Sequence, residues 1–300
     1  MSVSPEMLQT KLRPPHPPFH NLPLPRLMTI LEQSCDYQLT LVCAPAGYGK
    51  STLMAAWFGG LSSEQAGWLS LDSDDNNAYR LLLHLVAALE CVDPALLARL
   101  RAESEGETGQ LLAQWINALL SYDGNLTLMV DEVHLLVHAD AQQLLATLIQ
   151  HQPPNLRLIL GGRHRPEWLP LGRLDLEDEL LDVGEPQLRL THEEASVFAQ
   201  QLGLALKQAS WMQHQGWVMG LRMMALAGQR GAEQRSHRYF FNEIFRQLTA
   251  EQQQFLIHCA LLDRLNGKLC QAVTANGKST IILKQLYEQG VFITPLQGGG

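Results

Sequence analysis

Paired cysteines are missing from this 300-residue chain. Cys35, Cys43, Cys91, Cys259 and Cys270 form no CxxC pair and lack the Cys/His spacing that zinc needs, which excludes the usual structural zinc motifs and leaves reduced thiols as the expectation. Long apolar runs are missing too. None approaches the roughly 18 residues of a membrane span, and residues 1–30 lack the continuous apolar stretch of a signal peptide, so a cytoplasmic chain with no membrane partner is expected. Basic charge is scarce: 22 Lys and Arg against 30 Asp and Glu leave a formal net charge of −8. That balance argues against a broad nucleic-acid surface, which needs cations to displace counterions from phosphates. What remains, 46% hydrophobic and 17% charged, is the composition of a globular chain. Its length predicts two or three packed units.

Pro14, Pro15, Pro17, Pro18, Pro23 and Pro25 forbid helix and predict an N-terminal arm, followed by a short helix over Arg26–Gln33. Apolar runs at Leu39–Cys43, Gly67–Leu71, Leu126–Val130 and Leu156–Leu160 read as strands. Helices are expected from Lys50 to about Phe58, over Tyr79–Leu89 and Gly109–Leu120, and over Ala141–Ile149. Strands alternating with helices predict a parallel sheet covered on both faces, an α/β fold. Beyond Gly184 helical signals dominate. Thr191 with Glu194, and Thr249 with Gln252, have capping-box spacing. Trp217, Leu221, Met224 and Ala225 share one helical face, Val291–Ile293 reads as a small strand, and Gly298–Gly300 as a tail. The expected layout is an arm and helix over 1–36, a nucleotide-binding domain over 37–184 and a helical domain over 185–300.

The chemistry centres on Ala44-Pro45-Ala46-Gly47-Tyr48-Gly49-Lys50-Ser51, with Thr52 following. This is the GxxxxGK[ST] phosphate loop with Ala44 in place of its first glycine. Such a loop curls so that backbone amides meet phosphates, and the next helix adds its positive N-terminus. Lys50 would meet the phosphates and Ser51 would ligate Mg2+. A second Gly-Lys-Ser-Thr at Gly277–Thr280 has no apolar strand before it and reads as a turn. The strand Leu126–Val130 runs into Asp131-Glu132, acids suited to holding magnesium and to orienting an attacking water. Leu156–Leu160 leads to Gly161-Gly162-Arg163, placing an Arg at the carboxyl edge of the sheet, where it would read the γ-phosphate or lie solvated in a turn. Asp72, Asp74 and Asp75 read as a solvated acidic turn. His134 and His138 lack the Glu of HExxH zinc chemistry, and Asp131–His134 spells DExH without a downstream basic motif.

Together these residues resemble the N-terminal ATPase module of the MalT-like, LuxR-type transcription regulators, members of the STAND signalling NTPases. The likeness is carried by Thr10-Lys11-Leu12, Ala44–Lys50, Trp68–Leu71 with Asp75-Asn76, Val130–His134, Gly161–Arg163, Leu188–Leu190 before Glu193-Glu194, Gly216-Trp217 with Gly220-Leu221, and Gly290–Ile293. The family's loop accommodates Ala at position 44. The resemblance implies a three-layer P-loop domain followed by a helical and winged-helix-like unit that closes over the nucleotide. It implies an ATP/ADP switch with slow hydrolysis, in which Arg163 senses the γ-phosphate and ATP promotes self-association. It also implies DNA contact only through a C-terminal reader domain, which lies outside this sequence along with the family's helical-repeat sensor. Two other functions fit the same residues: a turnover ATPase or DExH-type motor, and a binding-only interaction module.

Overall fold

The computed structural model describes residues 8–16, 24–61, 65–102, 108–203, 216–227, 245–262 and 264–288. Strands β1 (Leu39–Cys43), β2 (Ala66–Ser70), β3 (Leu126–Asp131), β4 (Leu156–Gly162) and β5 (Leu180–Val183) form one sheet in the order β2-β3-β4-β1-β5. Every pairing is parallel. A strand inside such a sheet is covered on both faces, so its sequence is continuously apolar rather than alternating. Leu39, Leu41 and Val42 of β1 and Leu158, Ile159 and Leu160 of β4 are all buried, as is Thr40. Edge strand β5 differs: Leu180 and Leu181 are half-buried and Asp182 is exposed. Its mixed pattern explains why no strand is expected there from sequence.

Around the sheet lie α1 (Pro25–Glu32), α2 (Lys50–Phe58), α3 (Ala78–Ala88), α4 (Pro94–Ala102), α5 (Thr108–Ser121) and α6 (Ala139–Gln150), α2 against β4 and α3 against β2, with α1 against α2 and α4, α5 and α6 against α3. Pro25 sits in the first turn of α1, where its missing N–H costs no hydrogen bond. Helix α5 buries Leu111, Leu112, Trp115 and Leu119 at three- and four-residue spacing. At roughly 1.5–3 kcal/mol for each large apolar side chain taken from water, that stripe outweighs anything its capping adds.

The acidic turn is solvated at Asp74 and partly at Asp72, as its composition suggests, but not at Asp75. Asp75 is fully buried, because Lys11 donates to its Oδ2, His84 Nδ1 lies 2.6 Å from its Oδ1, and the Asp72 amide donates to it at 2.8 Å. Lys11 Nζ also lies 2.9 Å from Asp72. Burial alone would raise the Asp75 carboxyl, but the hydrogen bonds from His84 and Lys11 outweigh it and hold the group below its ordinary value. Charge spacing in the sequence cannot reveal a lysine that arrives from 64 residues away.

The chain divides into two compact units, Met1–Cys43 with Gly49–Leu188, and Ala44–Tyr48 with Arg189–Gly300. In the second, the helices His192–Gln201 and Ala250–Cys259 both begin with the expected capping boxes, at Thr191 and Thr249. The latter helix packs with Gly267–Thr274 and Ser279–Glu288 around Phe255, Cys259, Cys270, Ile282 and Leu286. Gly216 has φ +79°, and a Cβ there would strike the Leu190 backbone, so only glycine fits. Leu221, in the helix Val218–Ala227, is buried, whereas the side chains of Met224 and Ala225 lie outside the described residues. So do part of the proline arm (17–23), the strand expected at Val291–Ile293 and the glycine tail.

Candidate functional site

The loop Ala44–Tyr48 leaves β1 and leads into α2. Gly47 and Gly49 hold φ of +83° and +81°, angles that L side chains rarely adopt. Ala44 is absent from the positive-φ residues, so its methyl replaces the first glycine without backbone strain. Within the second unit, Trp217 Nε1–H donates to the Ala46 carbonyl and the Met219 amide to the Gly47 carbonyl, both at 3.1 Å. A trans peptide points its N–H opposite to its C=O, so these two bonds turn the amides of Gly47 and Tyr48 the other way. A Cβ on Gly47 would meet Met219 Cβ at 2.7 Å and Trp217 Nε1 at 2.8 Å. Space and φ therefore both require glycine.

Helix α2 starts at Lys50 with Gly49 as its N-cap and no side-chain cap. A helix start with no side-chain cap from its N-cap residue suits an anion. Ser51 and Thr52 are half-buried in that first turn. Lys50 is only 8% exposed. Burial lowers its pKa, Glu132 and Asp131 oppose that shift, and Arg163 adds to it. The structure therefore brings Lys50, Asp131, Glu132 and Arg163 into one electrostatic cluster from three elements. Topology is the reason: β4 lies between β1 and β3, so the ends of β1 and β3 stand about 10 Å apart.

Asp131, 3% exposed, closes β3 and accepts the Glu132 amide at 2.8 Å through Oδ1. Glu132 then adopts φ 62°, a left-handed conformation costing a non-glycine residue roughly 1–2 kcal/mol. Such strain persists only where the surroundings enforce it. Gly161 on β4 makes the room: a Cβ there would approach Asp131 Oδ1 to 2.5 Å and Met54 Sδ to 2.8 Å. Hard oxygen donors, the Ser51 hydroxyl and the Asp131 carboxylate, are of the kind that suits Mg2+.

Three residues around this edge escape sequence reasoning. His134 is 9% exposed on its side chain, and its Nδ1 lies 3.3 Å from Glu132 Oε2. Asn76 donates to the Leu135 carbonyl at 2.8 Å and accepts the Val137 and His138 amides at 2.7 and 2.9 Å, so the buried turn at Asp75 clamps the segment carrying His134. Gly161 is legible only as part of Gly161-Gly162-Arg163. Asn76 and Gly161 act on segments far away in sequence, where spacing carries no signal, while the approach of His134 to Glu132 depends on the left-handed turn at Glu132. Cys43 is pushed up to about 12, first by burial and then by Asp182, so it stays a thiol.

Residues 35–166 match an AAA domain family and residues 241–300 the MalT winged helix domain. The HTH-type transcriptional regulator MalT of Yersinia pestis is 31% identical over 291 residues, 89% of this chain and 32% of that protein. Its counterpart in Yersinia enterocolitica is 30% identical over 298 residues, 92% and 33% of the two chains. Over most of its own length the chain is similar to the MalT regulators. This MalT-like chain spans about a third of the length of the curated relatives it matches, and its AAA domain implies nucleotide binding. Two solved structures share the fold. A Walker-type ATPase of Pyrococcus abyssi aligns with TM-score 0.58 at 16% identity, covering 94% of this chain and 93% of that one. A STAND protein with a tetratricopeptide repeat sensor from Pyrococcus horikoshii aligns with TM-score 0.50 at 16% identity, covering 96% and 41%. Among the described residues no helix is long and apolar enough to cross a membrane.

Proposed function

We propose that the chain is an ATP/ADP switch of a MalT-like transcription regulator, binding nucleotide with Mg2+ on the loop Ala44–Ser51 and hydrolysing ATP slowly. The observation that carries this reading is the burial of Lys50 beside Asp131, Glu132 and Arg163. A desolvated lysine among acids and an arginine is arranged for a polyanion rather than for solvent, and this one opens a helix without a side-chain cap. In this reading the amides of Gly47–Ser51 and Lys50 hold the phosphates, with Thr52 beside them. Ser51 and Asp131 hold the metal, which supplies Lewis-acid neutralisation of phosphate charge. Glu132 orients water, and Arg163 distinguishes ATP from ADP by a charge-assisted contact to the γ-phosphate. The layout assigns an arm and helix to 1–36, the nucleotide-binding domain to 37–184 and the helical and winged-helix-like domain to 185–300. ATP promotes self-association, and DNA is contacted through a reader domain of the kind named in the longer helix-turn-helix relatives.

The test is nucleotide affinity together with size in solution. The chain binds ATP and ADP, only ATP shifts it to a larger species, and Arg163→Ala abolishes that difference while retaining ADP. Equal size with both nucleotides would overturn the switch, and fast steady-state turnover would replace it with an ordinary ATPase.

A further inference from the structure

His134 stands in the 3-10 turn Val133–Leu135, directly after the left-handed residue Glu132. Neither ring nitrogen has a hydrogen bond among the described residues, although Nδ1 lies 3.3 Å from Glu132 Oε2. The ring meets His164 edge-on, with 6.3 Å between centroids. Buried polar atoms are nearly always paired in a folded protein, so two orphaned nitrogens in one ring mark a site that another group completes. Burial first, then Arg163, His164 and Lys50, push this imidazole down to about 3, which leaves it neutral at neutral pH. A neutral imidazole has one donor and one acceptor nitrogen. The carboxylate 3.3 Å away selects Nδ1 as the donor, because a lone pair facing it would be repelled.

We propose that His134 is a positioning residue for ATP hydrolysis, its Nδ1–H holding the Glu132 carboxylate in the orientation that accepts a proton from the attacking water. This rests on the nucleotide site proposed above. In that step the water oxygen bonds the γ-phosphorus, the bond from that phosphorus to the β–γ bridging oxygen breaks with its electron pair leaving on ADP, and the water proton moves to Glu132. The present separation tightens to a hydrogen bond once the site is filled, as such contacts commonly do. Nε2 is left as an acceptor for a proton donor brought in with the ligand.

Two amide variants separate this role from mere packing. An Asn side chain can place its Nδ2–H where Nδ1–H stands, whereas the amide of Gln reaches the Nε2 position instead. Single-turnover ATP hydrolysis in His134→Asn stays within about threefold of the parent, while His134→Gln and His134→Ala lose about thirtyfold or more with ADP affinity unchanged. A second readout does not depend on turnover: aluminium fluoride tightens Mg-ADP binding in the parent and His134→Asn but not in His134→Gln. Because His134 acts through Glu132, the pair Glu132→Gln and His134→Ala is no slower than Glu132→Gln alone. Full additivity, equal loss in the Asn and Gln variants, or a parent showing neither turnover nor tightening would overturn the proposal while leaving nucleotide binding intact. Unchanged ADP affinity in Lys50→Ala would instead overturn the site on which it rests.

Discussion

The chain spells Gly-Lys-Ser twice, and the two regions treat it differently. At Gly49-Lys50-Ser51 the run follows β1, Gly49 holds φ +81°, and Lys50 is buried beside acids from β3. At Gly277-Lys278-Ser279 it follows a helix, Gly267–Thr274, that stops at Ala275 with φ 54°. There Gly277 and Lys278 are exposed, and the Ser279 hydroxyl is already committed to the Asn276 carbonyl at 2.6 Å. The same three letters make a desolvated cradle in one place and a helix start in the other. A parallel strand before the run carries the lysine into the sheet's carboxyl edge. A helix before it leaves the lysine in water.

Removing what supports the first region should produce the largest change. Asp75→Ala strands Lys11 without its buried partner and costs about 3–5 kcal/mol in urea unfolding. An unchanged midpoint would mean that the buried charges do not hold that edge. Next, Lys50→Ala lowers ATP and ADP affinity by about a hundredfold in calorimetric titration, about 2.7 kcal/mol. A smaller loss would shrink the contrast between the two lysines.

Acid should affect the first region by a comparable or smaller amount. His134 stays neutral in the fold to about 3 but takes up a proton near 6.5 when unfolded. Stability is therefore lost as pH falls from about 6.5 towards 3, with a slope of up to about 1.4 kcal/mol per unit from this group. Asp75, held below its ordinary value of 3.8, keeps its contribution above that value and loses it as pH falls further. Unfolding at stepped pH should show a shallower slope between 6.5 and 4 in His134→Asn, and an unaltered slope would contradict the assignment. In the second region, Thr249→Ala removes only a helix cap and costs about 1 kcal/mol. The smallest effect is expected for Lys278→Ala, with nucleotide affinity within about twofold and stability within about 0.5 kcal/mol. A larger loss of affinity would make the second run part of the site.

Much of the fold was legible because buried parallel strands and one-faced helices leave strong periodic marks. The four apolar runs are β1 to β4, and the expected helix over Gly109–Leu120 is observed as Thr108–Ser121. Edge strand β5 was not legible, since its four residues mix half-buried, exposed and buried positions. Helix α4 was missed as well, its apolar residues being interleaved with arginines. At the site, the loop and Asp131 were visible as motif and strand end. The burial of Asp75, the clamp of Asn76 and the approach of His134 to Glu132 were not.

The phosphate loop, the acids after β3, the alternation of strands with helices and the capping boxes follow from sequence, because each depends on neighbours a few residues away. Strand order, the meeting of Lys50 with Asp131, Glu132 and Arg163 and the glycine required at position 161 were decided only by tertiary structure. They depend on groups up to more than a hundred residues apart. Their proximity follows from which strands pair and in what register, a property of the assembled sheet that no local stretch encodes.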